Sequence, residues 1–214
     1  MPSPFSTLSD NVDAPENLRQ RWNDPAFLAS VRPAIQGIFV ARAWLEPTDL
    51  RALRLGVEGE PASLEIRDNL SKVSMGQVSF DFAVLCTSLA GGVFSDVSWK
   101  HSIWVDCVLT KATFERCFFD GAKLDALMDD AVFRHCTFVE CRVAAKSQML
   151  GRGGRRLRFE HCDFSGAQLK NLTIRGGRFV ECQFAGARFV QCDLKGTQFV
   201  GQRPDDGQFE KCVL

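Results

Sequence analysis

Apolar side chains recur every five residues over the last quarter of the chain. Counting by fives from Phe159 to Leu214 gives twelve positions. Eleven of them hold apolar residues, seven of these phenylalanine, and the twelfth is Pro204. A chain that is 45% hydrophobic would place five or six apolar residues there by chance. A period of five fits neither an α-helix nor a β-strand, whose side chains repeat about every 3.6 and 2 residues. The pattern therefore predicts an internal repeat.

A second regular position lies two residues before each of these apolar ones and usually holds a small residue. Eight of the nine cysteines occupy it: Cys107, Cys117, Cys136, Cys141, Cys162, Cys182, Cys192 and Cys212. Only Cys86 falls outside the pattern. Free cysteine packs in such a position as a small buried hydrophobe. We therefore expect these thiols to be core residues, and we expect neither disulfides nor a metal site.

The repeating unit is a small residue, any residue, Phe or Leu, and two further residues. It stands clearly in Cys192-Asp193-Leu194-Lys195-Gly196 and in Ala122-Lys123-Leu124-Asp125-Ala126. This unit resembles that of the pentapeptide-repeat family. The resemblance implies an all-β solenoid, a right-handed quadrilateral β-helix with four units and twenty residues per turn, in which two of five side chains point inward. Phe164 and Phe184 would then stack in one column.

The repeat divides the chain into two parts. Residues 73–214 are predicted to form the β-helix, with a one-residue slip of register after Leu124. Residues 1–72 do not follow the period and are predicted to form a mainly helical N-terminal cap or accessory domain. There, Asp24 followed by Pro25 has the pattern of a helix start, and Pro33 is expected to interrupt the helix.

The charge distribution and the polar residues point to binding rather than catalysis. The net charge is zero overall but −2 over residues 1–60, −4 over 61–141 and +6 over 142–214. The three histidines, His101, His135 and His161, all fall at outward corner positions of the repeat. We find no catalytic constellation, cofactor motif or metal-ligand spacing, and we predict that the protein is not an enzyme. No apolar run approaches the length of a membrane span and no signal-peptide pattern is present, which predicts a cytoplasmic protein.

Residues 144–158 interrupt the repeat and are predicted to form a projecting loop. This segment carries two apolar residues and four arginines that we assign to partner binding: Met149, Leu150, Arg152, Arg155, Arg156 and Arg158. Arginine is enriched at protein interfaces and pairs bidentately with carboxylates. The alternative is an insertion that is tolerated without a function.

Three functions are compatible with these features. Members of the pentapeptide-repeat family act as cytoplasmic immunity proteins against secreted bacterial toxins, and the resemblance favours a non-catalytic module that neutralises such a toxin, for example a nuclease effector of a type VI secretion system. The first alternative is a DNA mimic that protects DNA gyrase or topoisomerase, although the basic C-terminal part fits it poorly. The second is a structural scaffold. The expected partner is a protein, not nucleic acid or a membrane, and a homodimer through the C-terminal coil is a further expectation.

Overall fold

The computed structural model describes residues 14–61, 69–144 and 153–214, which form a β-solenoid with a small helical region at its N-terminal side. Two helices, α1 (Pro15–Gln20) and α2 (Pro25–Gln36), come first, with a 3-10 turn (Arg21–Asn23) between them and a π-helical turn (Gly37–Ala41) after them. The strands follow in this order: β1 (Ala43–Trp44), β2 (Thr48–Asp49), β3 (Arg54–Leu55), β4 (Ser74–Gly76), β5 (Val78–Ser79), β6 (Val84–Leu85), β7 (Val93–Ser95), β8 (Ile103–Val108), β9 (Thr113–Glu115), β10 (Lys123–Leu127), β11 (Val132–Arg134), β12 (Arg142–Ala144), β13 (Arg158–Glu160), β14 (Gln168–Lys170), β15 (Arg178–Val180), β16 (Arg188–Val190), β17 (Gln198–Val200) and β18 (Phe209–Glu210). A 3-10 turn (Asp206–Gln208) precedes β18.

Sixteen of these strands stack into two parallel sheets of eight strands each, and β2 and β5 form a separate two-stranded parallel sheet. The first sheet has the order β1-β4-β7-β9-β11-β13-β15-β17, and the second has the order β18-β16-β14-β12-β10-β8-β6-β3. Two series of isolated bridges join the same coils between the sheets, one including Thr137–Asp163–Gln183 and the other Gly153–Thr173–Asp193. Successive coils are therefore paired backbone to backbone both in the sheets and through these bridges.

The core consists of stacked phenylalanine rings. In one column Phe94, Phe114, Phe133, Phe159, Phe179 and Phe199 lie over one another with centroids 4.7–5.0 Å apart and planes within 16°. In a second column Phe164 stacks on Phe184 at 5.6 Å and 10°, which confirms the predicted pairing. The predicted slip of register is also confirmed, because the pairing of β8 with β10 shifts between Leu124 and Ala126.

The cysteines occupy the interior as predicted. Seven of the nine are buried, whereas Cys86 and Cys212 are half-buried. The thiols of Cys117, Cys136, Cys162 and Cys182 each donate to a carbonyl of the preceding coil, as Cys162 Sγ does to Phe133 O at 3.5 Å. Burial raises the pKa of the Cys107 thiol to about 12. The Cys107 thiol therefore packs as a neutral side chain at neutral pH.

The helical region begins as predicted but continues further. The Asp24 carboxylate accepts a hydrogen bond from the Ala26 amide at 2.9 Å, which confirms the helix start. The prediction that Pro33 interrupts the helix is wrong, because α2 runs through it to Gln36. Ala29, whose carbonyl loses its partner at this proline, is exposed, while Val31, Ala34 and Ile35 are buried. Packing of that face offsets the cost of the proline.

The sheets begin before the five-residue repeat does. Strands β1, β2 and β3 pair in parallel with β4, β5 and β6. An ionic network fastens the helical region to this first coil, since Arg21 donates to both carboxylate oxygens of Asp49 at 2.7 Å. The sheets therefore extend across the predicted boundary between residues 72 and 73.

Candidate protein-binding corner

Three of the six predicted binding residues can be located. Met149, Leu150 and Arg152 lie outside the described residues. Ala144 ends β12, and Gly153 forms bridges with both Leu127 and Thr173. The described ends of the predicted loop, Ala144 and residues 153–158, are therefore part of the solenoid, because their backbone is paired with the neighbouring coils. Arg155, Arg156 and Arg158 consequently stand on the solenoid surface rather than on a projecting loop.

Arg156 is held in an ion pair. Its guanidinium donates to both carboxylate oxygens of Asp130, at 2.6 and 2.7 Å. The hydrogen bond from Arg156 lowers the pKa of Asp130 below its usual value. Both side chains are at the surface, where such a pair adds little stability. Arg156 thus has a salt-bridge partner, whereas Arg155 and Arg158 form no salt bridge with a described residue.

Arg155 and Arg158 each belong to a column of cations. The first column lies two residues after the bridge series Gly153–Thr173–Asp193 and consists of Arg155, Arg175 and Lys195. Its coils are joined by hydrogen bonds from Arg156 N to Arg175 O at 3.0 Å and from Gly176 N to Lys195 O at 3.1 Å. Arg158 and Arg178 are directly paired in β13 and β15. Paired strands are about 4.8 Å apart, so each column holds like charges at that spacing. We call Arg155, Arg158, Arg175, Arg178 and Lys195 the basic corner.

Most charges of the basic corner form no salt bridge with a described residue. Arg175 donates to Asp193 Oδ2 at 2.7 Å. In the described part of the chain, the salt bridges include none of Arg155, Arg158, Arg178 and Lys195. All four are exposed. Within the described residues the corner therefore presents four exposed cations that form no salt bridge, although Arg158 lies near Asp130 and Lys195 near Asp193.

The sequence-based prediction missed Arg175, Arg178 and Lys195. The signal was present, since these residues lie twenty or forty positions after Arg155 and Arg158, which is one or two turns of the predicted helix. The prediction instead treated the arginines of residues 144–158 as one loop.

Other chemistry-bearing residues occupy structural or exposed positions. His135 and His161 are exposed and stack on each other at 4.9 Å, and His101 stacks on Phe82 at 5.2 Å. Within residues 14–61, 69–144 and 153–214, no group of three or more His, Cys, Asp or Glu side chains could hold a metal ion. Over the same residues, no helix is long and apolar enough to cross a membrane.

Comparison with known proteins agrees with the repeat. Residues 162–201 match the family model of pentapeptide repeats, in eight copies. No curated protein matches the sequence significantly. Among solved structures, the chain is similar to QnrB1, a plasmid-mediated fluoroquinolone resistance protein, with 18% identity over 70% of this chain and 74% of that chain and a TM-score of 0.33. It is also similar to HetL from the cyanobacterium Nostoc sp., a pentapeptide repeat protein involved in heterocyst differentiation regulation, with 11% identity over 88% and 94% of the two chains and a TM-score of 0.43.

The family-model match covers residues 162–201 and supports the resemblance to pentapeptide repeats over those residues. The eight matched copies fall in the same coils as the C-terminal part of the basic corner, Arg175, Arg178 and Lys195. The candidate site is thus carried by regular repeats.

Proposed function

We propose that this protein is a non-catalytic binding module whose basic corner recognises an acidic surface of a partner protein. The observation that carries the proposal is the group of four exposed cations without a salt bridge, of which Arg158 and Arg178 are paired directly across β13 and β15. Like charges placed directly opposite one another on paired strands are unfavourable. At about 4–5 Å in water each such pair costs on the order of 1 kcal/mol before salt screens it. An anionic partner removes this cost when it binds.

A protein partner fits this surface better than nucleic acid. Single-stranded nucleic acids are held by exposed aromatic side chains on which the bases stack. The large hydrophobic residues exposed in the described part of the chain are Val, Leu and Ile, whereas its phenylalanines and tryptophans, apart from the half-buried Phe82 and Phe118, lie in the core or pack against it. Carboxylates of a protein surface need only charge and bidentate hydrogen bonds, which arginine supplies.

The specific role that we propose is that of an immunity protein, which binds and neutralises a cognate bacterial toxin, for example a nuclease effector of a type VI secretion system. Such an inhibitor acts by stoichiometric binding in the cytoplasm and needs a rigid surface rather than catalytic residues. The stacked coils supply rigidity, because every repeat is paired with its neighbours. The family resemblance and the basic corner support this role.

The DNA-mimic alternative ranks second. Mimicry of duplex DNA requires lines of free carboxylates. Here the surface acids are interleaved with arginines that pair with them, as in Asp96–Arg116, Asp130–Arg156 and Asp193–Arg175. A scaffold that forms a homodimer through the last coil ranks third, with Val213 and Leu214 exposed there by 57% and 62%.

We also propose that the solenoid is right-handed and quadrilateral. Two sheets and two series of isolated bridges join successive coils on four sides, which supports the four-sided form. The preference of L-residues for right-handed crossovers between parallel strands supports the handedness.

The experiment is a pull-down from the native host, followed by a growth assay. The bait is the wild type, the variant Arg158→Glu/Arg178→Glu, or the control Lys123→Glu/Arg142→Glu. The control reverses two exposed cations that are paired in the same way on the other sheet. We expect the wild type and the control to retain a protein that inhibits growth when expressed alone, and we expect co-expression of the wild type, but not of Arg158→Glu/Arg178→Glu, to restore growth.

Two results would refute the proposal. Retention of the same toxic protein by Arg158→Glu/Arg178→Glu would place the contact elsewhere. Recovery of gyrase or topoisomerase subunits instead of a toxin would establish the DNA-mimic alternative, which a supercoiling assay with a quinolone can check.

A further inference from the structure

The corner between the two cationic columns carries no side chains over two coils. Gly176 and Gly196 occupy the corner position there, with φ of 62° and 72°. Arg175 and Lys195 precede them and Arg178 and Gln198 follow two residues later, so the bare backbone is flanked on one side by two cations and on the other by one. In the preceding coil the same position holds Arg156.

The positive φ does not by itself require glycine in this column. Lys111, Asp130 and Arg156 occupy the same position in earlier coils with φ of 59°, 58° and 56°. A Cβ at Gly176 would meet nothing within 4 Å, and one at Gly196 would approach only the Gly176 backbone, at 3.9 Å. Side chains would therefore fit at both positions. Because Gly176 and Gly196 carry no side chain, a partner can approach the backbone closely at these two positions.

We infer that an extended acidic segment of the partner lies along this corner, over Gly176 and Gly196, with its carboxylates paired to Arg155, Arg158, Arg178 and Lys195. This inference rests on the proposed function and specifies the part of the partner that is bound. Two coil spacings of about 4.8 Å correspond to roughly three residues of extended chain at about 3.3 Å each. Carboxylates three residues apart therefore match cations two coils apart, those two residues apart are within side-chain reach of cations on successive coils, and the arginines can donate bidentate hydrogen bonds to them.

The charge pattern identifies the occupant as a carboxylate-bearing peptide. The cations that form no salt bridge are few and lie within three coils, which suits a short segment rather than a long polyanion. The salt bridge between Arg175 and Asp193 shows that carboxylates fit beside this corner, with Arg175 Nε 2.7 Å from Asp193 Oδ2.

The test measures binding of a labelled acidic peptide by fluorescence anisotropy at low salt. The probe is fluorescein-labelled (Glu-Ser)4, in which every second residue is acidic. The variant Gly176→Asn/Gly196→Asn fills the corner without changing the charge, and asparagine tolerates positive φ. We expect it to bind the probe about tenfold more weakly, the effect of losing roughly one charge-assisted hydrogen bond. The variant Arg158→Gln/Arg178→Gln is expected to weaken binding at least as much.

Gly186→Asn is the matched control. Gly186 also lies at a corner, with φ of 67°, but on another edge of the solenoid. A Cβ placed there would lie 3.9 Å from the Gly166 backbone, so a side chain fits at this position too. We expect Gly186→Asn to bind the probe as the wild type does. Thermal melts of all variants establish that each is folded.

Three results would overturn the inference: equal binding by Gly176→Asn/Gly196→Asn and the wild type, equal weakening by Gly186→Asn, or no binding of the peptide to the wild type at about 1 mM. Tighter binding of a labelled oligothymidylate of the same charge would do so as well, by showing that the corner takes nucleic acid. These outcomes are separate from the pull-down. A toxin that is lost with Arg158→Glu/Arg178→Glu but retained by Gly176→Asn/Gly196→Asn leaves the proposed function intact and refutes only the extended segment.

Discussion

Replacing Phe184 by alanine tests the stacked core of the solenoid. The ring is 1% exposed. It stacks on Phe164 at 5.6 Å and meets Phe179 and Phe199 edge to face at 5.6 and 5.7 Å. The coils on both sides are fixed by backbone pairing, so the neighbouring rings have little freedom to close the space that the substitution leaves.

The expected loss of stability is about 4–5 kcal/mol. Removing the ring from a buried position forfeits roughly 2–3 kcal/mol of transfer free energy. A residual cavity of about 80–100 Å³ adds about 2 kcal/mol, at roughly 24 cal/mol per Å³. Phe209 provides the control. It is the central residue of a repeat in the last coil, where it pairs with Phe189, but it is only partly buried. Phe209→Ala is expected to cost about 1–2 kcal/mol, since it loses part of a transfer term and leaves no closed cavity.

Urea unfolding followed by circular dichroism measures both variants against the wild type. The difference in free energy of unfolding is calculated from the shift of the transition midpoint, with one m-value (the slope against urea concentration) for all three proteins. A loss below about 1 kcal/mol for Phe184→Ala, far outside the range for buried phenylalanines, would refute the assigned register and the stacked core. Equal losses for Phe184→Ala and Phe209→Ala would refute the argument from burial.

Three further predictions follow from the structure. Burial alone would raise the pKa of Asp49, but hydrogen bonds from Arg21 and Arg51 outweigh it and hold that pKa well below its usual value. Asp49→Asn should therefore cost roughly 2 kcal/mol at neutral pH. In an acid titration of stability this difference should begin to shrink near the unfolded-state pKa of about 3.9 and disappear only below the depressed folded-state pKa. Arg178→Gln relieves repulsion with Arg158 and should raise the free energy of unfolding by about 0.5 kcal/mol at low salt, with no gain at about 1 M salt; a loss of stability would contradict the charge argument. In the native protein, Ellman's reagent should label the half-buried Cys86 and Cys212 first and the seven buried thiols only on unfolding, and rapid labelling of all nine would exclude the packed core.

The candidate site could be predicted in part from the sequence. Arg155 and Arg158 were recognised because four arginines within a few residues of a broken repeat are conspicuous. Arg175, Arg178 and Lys195 were overlooked because each lies in an ordinary repeat, where a single outward cation carries no signal. They join the site only because a coil of twenty residues brings positions 155, 175 and 195, and positions 158 and 178, to the same edge.

The sequence by itself determined the core of this protein. The period of five identifies the apolar and small positions, and the resemblance to the pentapeptide-repeat unit implies that both point inward. The slip after Leu124 and the burial of the cysteines follow from that register. Other features depend on which residues of neighbouring coils and elements pack together, and these were decided by the tertiary structure. Strands β1 to β3 join the sheets without the repeat because pairing needs only extended backbone, and α2 continues through Pro33 because its buried face packs. Whether Arg156 is free or paired was likewise decided by Asp130 of the neighbouring coil, 26 residues away in the chain.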